Sequence, residues 1–331
     1  MDAVGVINQA NGDGWTLYNG DVCDVIKGLP DNSVHYSVSS PPFSSLYTYS
    51  ASERDMGNCK DMAEFMIHFA FLVKELLRVT KPGRLLSMHV MNLPTSKERD
   101  GYIGIRDFRG EVIRSFIDTG WIYHAEVTIW KDPVMAMQRT KALGLLHKQI
   151  KKDSCMSRQG IPDYVVTFRK PGVNPERVTH TAETFPVSQW QQYASPVWAT
   201  VTGLGSDGFL QFGNPTENNP DKNGIDPSDT LQSMAESDDE RHLCCLQLPV
   251  IERCVRLWSN PGDVVLSPFA GVGSEGYVSV KNGRKFIGVE LKTAYWERGV
   301  KNLKKGVEEE REQTLFKTEK HDALDEAKSE I

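Results

Sequence analysis

The sequence predicts an α/β protein built on a mostly parallel sheet with helices on both faces. Strand and helix patterns alternate from residue 15 onward, a complete strand–turn–helix–strand unit fills 263–291, and no internal repeat suggests another architecture. Alternation of this kind packs helices on each side of a parallel sheet.

The elements follow in order. WTLYNGD (15–21) alternates and ends in a turn-forming Gly-Asp, so it reads as a strand. DVCDVIKGLP (21–30) carries Val22, Val25, Ile26 and Leu29 at helical spacing and stops at Pro30. SVHYSVSS (33–40) is β-rich and runs into Pro41-Pro42. A long amphipathic helix follows, with Asp61 as N-cap, Glu64 three residues on, and Met62, Phe65, Met66, Phe69, Leu72, Val73 and Leu76 on one face. Lys81-Pro82-Gly83 is expected to close it before the strand RLLSMHV (84–90). Residues 111–119 read as helix, and 121–130 and 163–170 as strands.

From 171 to 240 the pattern breaks into a stretch rich in Pro, Gly, Asn, Asp, Ser and Thr. So long a polar segment inside a domain marks an inserted module or functional loops. Regular structure resumes with a helix at 246–259, a strand at 263–269, a helix at 274–282 and a strand at 285–291. Beyond 304 charge dominates, as in a solvated helix or tail. The expected divisions are 15–170 and 241–303 as two halves of one domain, 171–240 as an insertion, and 304–331 as a charged tail.

Composition narrows the class. With 331 residues, 39% hydrophobic and 25% charged, the chain holds enough apolar material for a large packed core. No apolar run approaches the roughly 20 residues that span a bilayer, and the N-terminus lacks a signal-peptide pattern, so a soluble cytoplasmic protein is expected. Six cysteines show no CxxC pair and no zinc-like Cys/His spacing, which points to reduced thiols and no metal. The net charge of −6 does not exclude nucleic acid, because a basic groove can coexist with acidic segments elsewhere.

Two motifs carry the chemistry. Ser40-Pro41-Pro42-Phe43 directly follows a core strand. Two prolines hold the backbone extended and remove N–H groups, so the Ser40 hydroxyl and nearby carbonyls can converge on one small polar target. Phe43 adds a flat face. The arrangement suits a planar heteroaromatic amine, whose ring-delocalised lone pair makes it a poor nucleophile. Accepting hydrogen bonds from its N–H groups pulls the nitrogen toward tetrahedral geometry and aims the lone pair at an electrophile. The second motif is Ser267-Pro268-Phe269-Ala270-Gly271-Val272-Gly273, a glycine-bearing turn between strand and helix. Gly271 and Gly273 let the backbone approach a ligand, and Glu290, about 20 residues on at the end of the next strand, is placed to take two ribose hydroxyls.

Together the motifs resemble the β class of DNA amino-methyltransferases, in which a [D/N/S]-PP-[Y/F/W] loop precedes a D-PF-x-G-x-G stretch that cradles S-adenosyl-L-methionine (SAM). The resemblance covers roughly 15–170 and 240–303. It implies Ser40, Pro41, Pro42 and Phe43 as the catalytic loop, and Pro268, Phe269, Ala270, Gly271, Gly273 and Glu290 as cofactor-binding residues. It adds Asp21, at the adenine, and Gln247, near the methionine end. Ser267 stands where the family usually has Asp. The implied fold is a circularly permuted seven-stranded, Rossmann-like SAM-dependent methyltransferase sheet with an inserted target-recognition region. Read from 15, the chain begins with the family's third strand, and its first strands sit at 263–291.

The implied reaction is direct methyl transfer to an exocyclic amine of a flipped base in double-stranded DNA. C5-cytosine methylation is not expected, since no Pro-Cys dipeptide supplies the usual nucleophile. In the family, Ser at the first catalytic position goes more often with N4-cytosine and Asp with N6-adenine, so the expectation leans to cytosine with adenine open. DNA contact is expected from the basic run Arg139, Lys141, Lys148, Lys151, Lys152 and Arg158, interrupted by the single acid Asp153. Trp190, Tyr193 and Trp198 could stack on bases or form a small core. An RNA or protein amide methyltransferase and a non-catalytic SAM- and DNA-binding protein stay open as other classes. The sequence also resembles enzymes of phages and prophages, which suggests a role in protective modification of phage DNA. The oligomeric state is not set by the sequence, a dimer being one open arrangement.

Overall fold

The computed structural model describes residues 5–43, 56–131, 143–199, 201–204, 210–212, 231 and 246–329. Arg139 and Lys141 lie outside the described residues, as does most of 205–245. The chain opens with the hairpin β1 (Val6–Gly12) and β2 (Trp15–Gly20), then α1 (Val22–Lys27), β3 (Val34–Ser39), α2 (Met62–Val79) and β4 (Thr80–Met91). Next come β5 (Leu93–Pro94), α3 (Lys97–Asp100), β6 (Ile105–Arg106), α4 (Phe108–Asp118), β7 (Ile122–Ile129), α5 (His147–Lys152) and β8 (Asp163–Arg169). The middle holds α6 (Val187–Tyr193), β9 (Val197–Trp198) and the small hairpin β10 (Val201–Leu204) and β11 (Leu210–Phe212). The last part is α7 (Leu248–Trp258), β12 (Val264–Ser267), α8 (Ser274–Lys281), β13 (Lys285–Glu290) and α9 (Thr293–Ser329).

The main sheet runs β1-β2-β13-β12-β3-β4-β8-β7-β9. Its seven interior strands are the expected sheet, and each edge carries one further strand. β2, β13, β12, β3 and β4 are parallel, while β8 is antiparallel to both β4 and β7. The chain enters at β2 and reaches β12 and β13 only near its end, as the permuted order requires.

Two separate cores cover the two faces. On one, Val25 and Ile26 of α1, Phe65, Phe69, Leu72 and Leu76 of α2, and Val112 and Phe116 of α4 pack on Leu86, Met88 and Phe168. On the other, Val250, Ile251, Cys254 and Val255 of α7, Val278 of α8 and Leu303 of α9 pack on Tyr36, Val38, Val265 and Phe286. The α2 cap forms as the sequence indicates: Asp61 accepts the Glu64 N–H at 3.0 Å, and Glu64 accepts the Lys60 N–H at 2.6 Å.

Lys81-Pro82-Gly83 departs from expectation. It lies inside β4 as a bulge, where the register with β3 slips between Val34↔Thr80 and Tyr36↔Leu85. Gly83 takes φ +70°, and a Cβ there would stand 2.6 Å from the Asn174 nitrogen, so only glycine fits the bend. The charged C-terminal segment is also packed in part. Glu309 of α9 accepts the Tyr277 hydroxyl at 2.6 Å and pairs with Lys281 at 2.8 Å. Among the described residues, no helix is long and apolar enough to cross a membrane.

Candidate active site at the carboxyl edge of the sheet

Strand order places the two motifs together. From β12 the chain crosses to β13 on one side, and from β3 to β4 on the other. The crevice between the carboxyl ends of β12 and β3 is therefore the topological switch point, where open α/β sheets bind ligands. The 268–273 turn leaves β12 there, and Ser40 leaves β3 beside it.

The turn after β12 is shaped by its two glycines, in different ways. Gly271 has φ +51°, and a Cβ built on it would meet nothing within 4 Å. Its missing side chain is open space. Gly273, at φ +84°, is the N-cap of α8, and its Cβ would lie 3.1 Å from the Gly299 Cα of α9. Both glycines were expected to admit a ligand; Gly273 instead lets two helices close on each other. Pro268 and Ala270 are buried, and the Ala270 N–H donates to the Val289 carbonyl at 2.8 Å. Phe269 packs against the α1/α2-side core.

Glu290 ends β13 beside this turn. Its carboxylate accepts the Gly271 N–H and the Lys292 N–H, both at 2.8 Å. Asn19, fully buried at the end of β2, donates to the carbonyls of Glu290 at 3.0 Å and Leu291 at 2.9 Å. Sequence reading passed over Asn19, although it fixes the corner that presents Glu290. Asp21 caps α1 by accepting the Cys23 N–H at 2.8 Å. Gln247 is the N-cap residue of α7, whose N-terminus lies at the same edge because the helix leads back into β12.

On the other side of the crevice, Ser40 Oγ lies 3.1 Å from His89 Nδ1 and 3.4 Å from the His89 carbonyl oxygen. His89 Nε2 lies 2.9 Å from Asp163 Oδ2, at the start of β8, and Lys131 Nζ lies 2.5 Å from the same oxygen. Burial opposes ionisation of Asp163, but the Lys131 ammonium and then His89 more than reverse this and hold its carboxyl below the usual range. Phe43 is 2% exposed, set edge-on to His89 at 6.2 Å and to Phe108 at 6.0 Å. Stacking on a base requires the ring to leave this packing. Pro41 is buried and Pro42 half-buried.

A model of the DNA methylase family matches residues 34–301. The chain belongs to the DNA methylase family. The type II methyltransferase M.Cfr9I of Citrobacter freundii is 24% identical over 88% of this chain and 88% of that enzyme. The DNA adenine methyltransferase YhdJ of Escherichia coli is 44% identical over 54 residues, only 18% of its length. Among solved structures, a DNA modification methylase of Thermus thermophilus complexed with SAM superposes with a TM-score of 0.60 at 21% identity, covering 88% of this chain and 93% of that one. The cytosine-N4-specific PvuII DNA methyltransferase gives 0.57 at 15% identity, covering 92% and 95%.

The methyl donor of this DNA methylase is S-adenosyl-L-methionine, and the crevice fits a ligand of that polarity. Gln247 Oε1 and Ser267 Oγ are buried with no hydrogen-bond partner, which is costly unless a ligand or water meets them. With the open space over Gly271 and the fixed Glu290 carboxylate, they form a cradle for a polar molecule. Ser267 lacks the usual carboxylate, yet its hydroxyl keeps an acceptor at that position.

The remaining candidates are placed by topology. β7 ends and β8 begins at the carboxyl edge, so the segment that carries Lys148, Lys151, Lys152 and Arg158 leaves from and returns to the same edge of the sheet as the crevice. The three lysines are exposed on α5. Arg158 is half-buried and donates to the Gln159 carbonyl at 3.1 Å. Trp198 belongs to the core: it is 1% exposed, and its indole N–H donates to the Tyr193 carbonyl at 3.2 Å. Trp190 is 54% exposed. His35, Glu176 and Asp263 cluster at the opposite, amino edge of the sheet. Lys81 pairs with Glu176 and Arg84 with Asp263, so an ion-pair network occupies those carboxylates.

Proposed function

We propose that this DNA methylase transfers the methyl group of SAM to the N4 amino nitrogen of cytosine flipped out of double-stranded DNA. The observation that carries the cytosine reading is Ser40, a hydroxyl where a carboxylate or carboxamide is the alternative, at the mouth of the crevice beside His89. The full-length likeness to the cytosine-specific PvuII enzyme supports it, while the adenine enzyme YhdJ aligns only locally. In this reading SAM supplies the electrophilic methyl carbon. The Ser40 hydroxyl and Pro41 carbonyl accept hydrogen bonds from the amine and turn its lone pair out of the ring plane. Phe43 supports the flipped base once displaced from its resting contacts.

Target recognition is assigned to 171–240, of whose described residues the main sheet uses only Val197–Trp198. The segment with Lys148, Lys151 and Lys152 holds the phosphate backbone. The test is to incubate the protein with SAM and unmethylated DNA, digest to nucleosides and identify the product by mass. N4-methylcytosine is the expected product. N6-methyladenine would overturn the reading of Ser40 while leaving the reaction class, and no methylated nucleoside would overturn the DNA substrate.

A further inference from the structure

A hydroxyl is an awkward acceptor for an amine. It carries one proton and two lone pairs and rotates freely, so it can offer its proton to the target nitrogen and mask the lone pair needed for attack. A carboxylate at the same position has no proton to misplace. Ser40 therefore needs a partner that takes its proton and holds the lone pairs toward the substrate.

The structure supplies one from two other strands. His89 lies on β4 and Asp163 on β8, where the antiparallel register sets His89 opposite Val165 and Met91 opposite Asp163. The His89 and Asp163 side chains are thus diagonal neighbours on one face of the sheet. Asp163 is acceptor-only when ionised, and Lys131 at 2.5 Å secures that state. In the neutral ring, His89 Nε2, at 2.9 Å from Asp163, carries the proton and donates it in a hydrogen bond, which leaves the Nδ1 lone pair toward Ser40 Oγ at 3.1 Å. The backbone oxygen of His89, at 3.4 Å, draws the Ser40 proton to the same side. His89 and Asp163 are almost fully enclosed, with side chains 5% and 3% exposed, so water competes little for these bonds.

We propose that His89 and Asp163 are positioning residues for methyl transfer: Asp163 fixes the His89 tautomer, His89 Nδ1 accepts the Ser40 proton, and both Ser40 lone pairs face the target amine. The order of contacts resembles that of a hydrolytic serine triad, but Ser40 stays protonated and forms no covalent bond. The inference rests on the assignment of Ser40 as acceptor of the amine.

The test joins kinetics with a measurement independent of turnover. His89→Gln keeps a donor for Asp163 but replaces the ring's Nδ1 lone pair, fixed in direction, with an amide oxygen on a flexible chain that no longer holds the Ser40 proton in one place. Its expected result is a fall in kcat of at least tenfold, with the Kd for SAM and for DNA within twofold of wild type. In the Ser40→Ala background, the same change is expected to have no further effect on kcat, because the hydroxyl it orients is gone. Independent multiplication of the two losses would overturn the proposal, since His89 would then act through the fold. Asp163→Asn, which keeps the shape but frees the tautomer, is expected to lower kcat in the same way and serves if His89→Gln does not fold. Nitrogen-15 spectra of labelled wild-type protein, with His89 assigned by its loss in His89→Gln, read the tautomer directly. A protonated Nε2 and bare Nδ1 are expected, and a protonated Nδ1 would overturn the proposal. If wild type methylates no DNA, the functional reading falls and the spectrum still decides the orientation of Ser40. If wild type is active and the variants match it, only this inference falls.

Discussion

Gly271→Ala separates the cost of folding from the cost of binding at the cofactor turn. The backbone at 271 has φ +51°, where an L-residue pays about 1–2 kcal/mol relative to glycine. No protein atom lies within 4 Å of the new Cβ, so no packing penalty adds to this. The expected fall in Tm is roughly 1.5–3 °C in thermal unfolding without ligand. The new methyl group occupies the space over the turn, and forcing a ligand past it costs about 1–3 kcal/mol, or a rise in the SAM Kd of about 5- to 150-fold by calorimetry. Gly271→Val adds a β-branched residue at positive φ and is expected to abolish measurable binding. Gly273→Ala is the control with the opposite balance. Its Cβ would meet the Gly299 backbone at 3.1 and 3.2 Å at φ +84°, so it is expected to lose more stability, about 2–4 kcal/mol. A Gly271→Ala protein that binds SAM within twofold of wild type would refute the reasoning, because the space over the turn would not be where the ligand lies.

Glu275, at the start of α8, is pushed up to about 8 by burial, reinforced by the Glu290 carboxylate. The folded chain therefore keeps a proton that the unfolded carboxyl releases above its ordinary 4.5, and stability contributed by this group falls as pH rises from about 4.5 to 8. The effect is on the order of 5 kcal/mol, and urea unfolding from pH 5 to 9 should show Glu275→Gln losing this slope; parallel curves for both proteins would count against it. At the amino edge, Asp263→Asn leaves the fully buried Arg84 guanidinium without its carboxylate and is expected to cost about 3 kcal/mol. Its SAM affinity should not change, because the site is at the other edge. Replacing Lys148, Lys151 and Lys152 with Gln should weaken DNA binding and flatten its dependence on salt, by about 0.9 in log–log slope for each lysine that meets a phosphate. An unchanged slope places the DNA path elsewhere.

The interior of the fold was legible because its signals are local. Parallel strands buried on both faces read as apolar runs, and α2 announced itself by its stripe and by Asp61 and Glu64. The edges were not. β1 is VINQANG, with most side chains exposed, so it shows no apolar period and exists by pairing with β2. β9 is two residues long and depends on the edge of β7. The Lys81-Pro82-Gly83 bulge reads in sequence as a stop, since nothing nearby tells that Gly83 bends against Asn174.

The site divides along the same line. Its loops were legible because proline pairs and glycine turns dictate backbone shape within a few residues. Its buried partners were not, because they are brought together by pairing between distant strands. His89 sits in the run RLLSMHV, where a lone histidine reads as core, and Asp163 opens DYVVTFRK, where an acid reads as a strand end. They are 74 residues apart and meet only through the β4–β8 register. The sequence reading did not ask what takes the proton of Ser40, although the role proposed for Ser40 calls for such a partner. A hydroxyl that must accept from an amine leaves its own proton to be placed, and a buried crevice offers little water to take it. Under the proposed roles, Ser rather than Asp at the first position of the loop moves part of the active site off the loop and onto the sheet, where only the strand register brings His89 and Asp163 together.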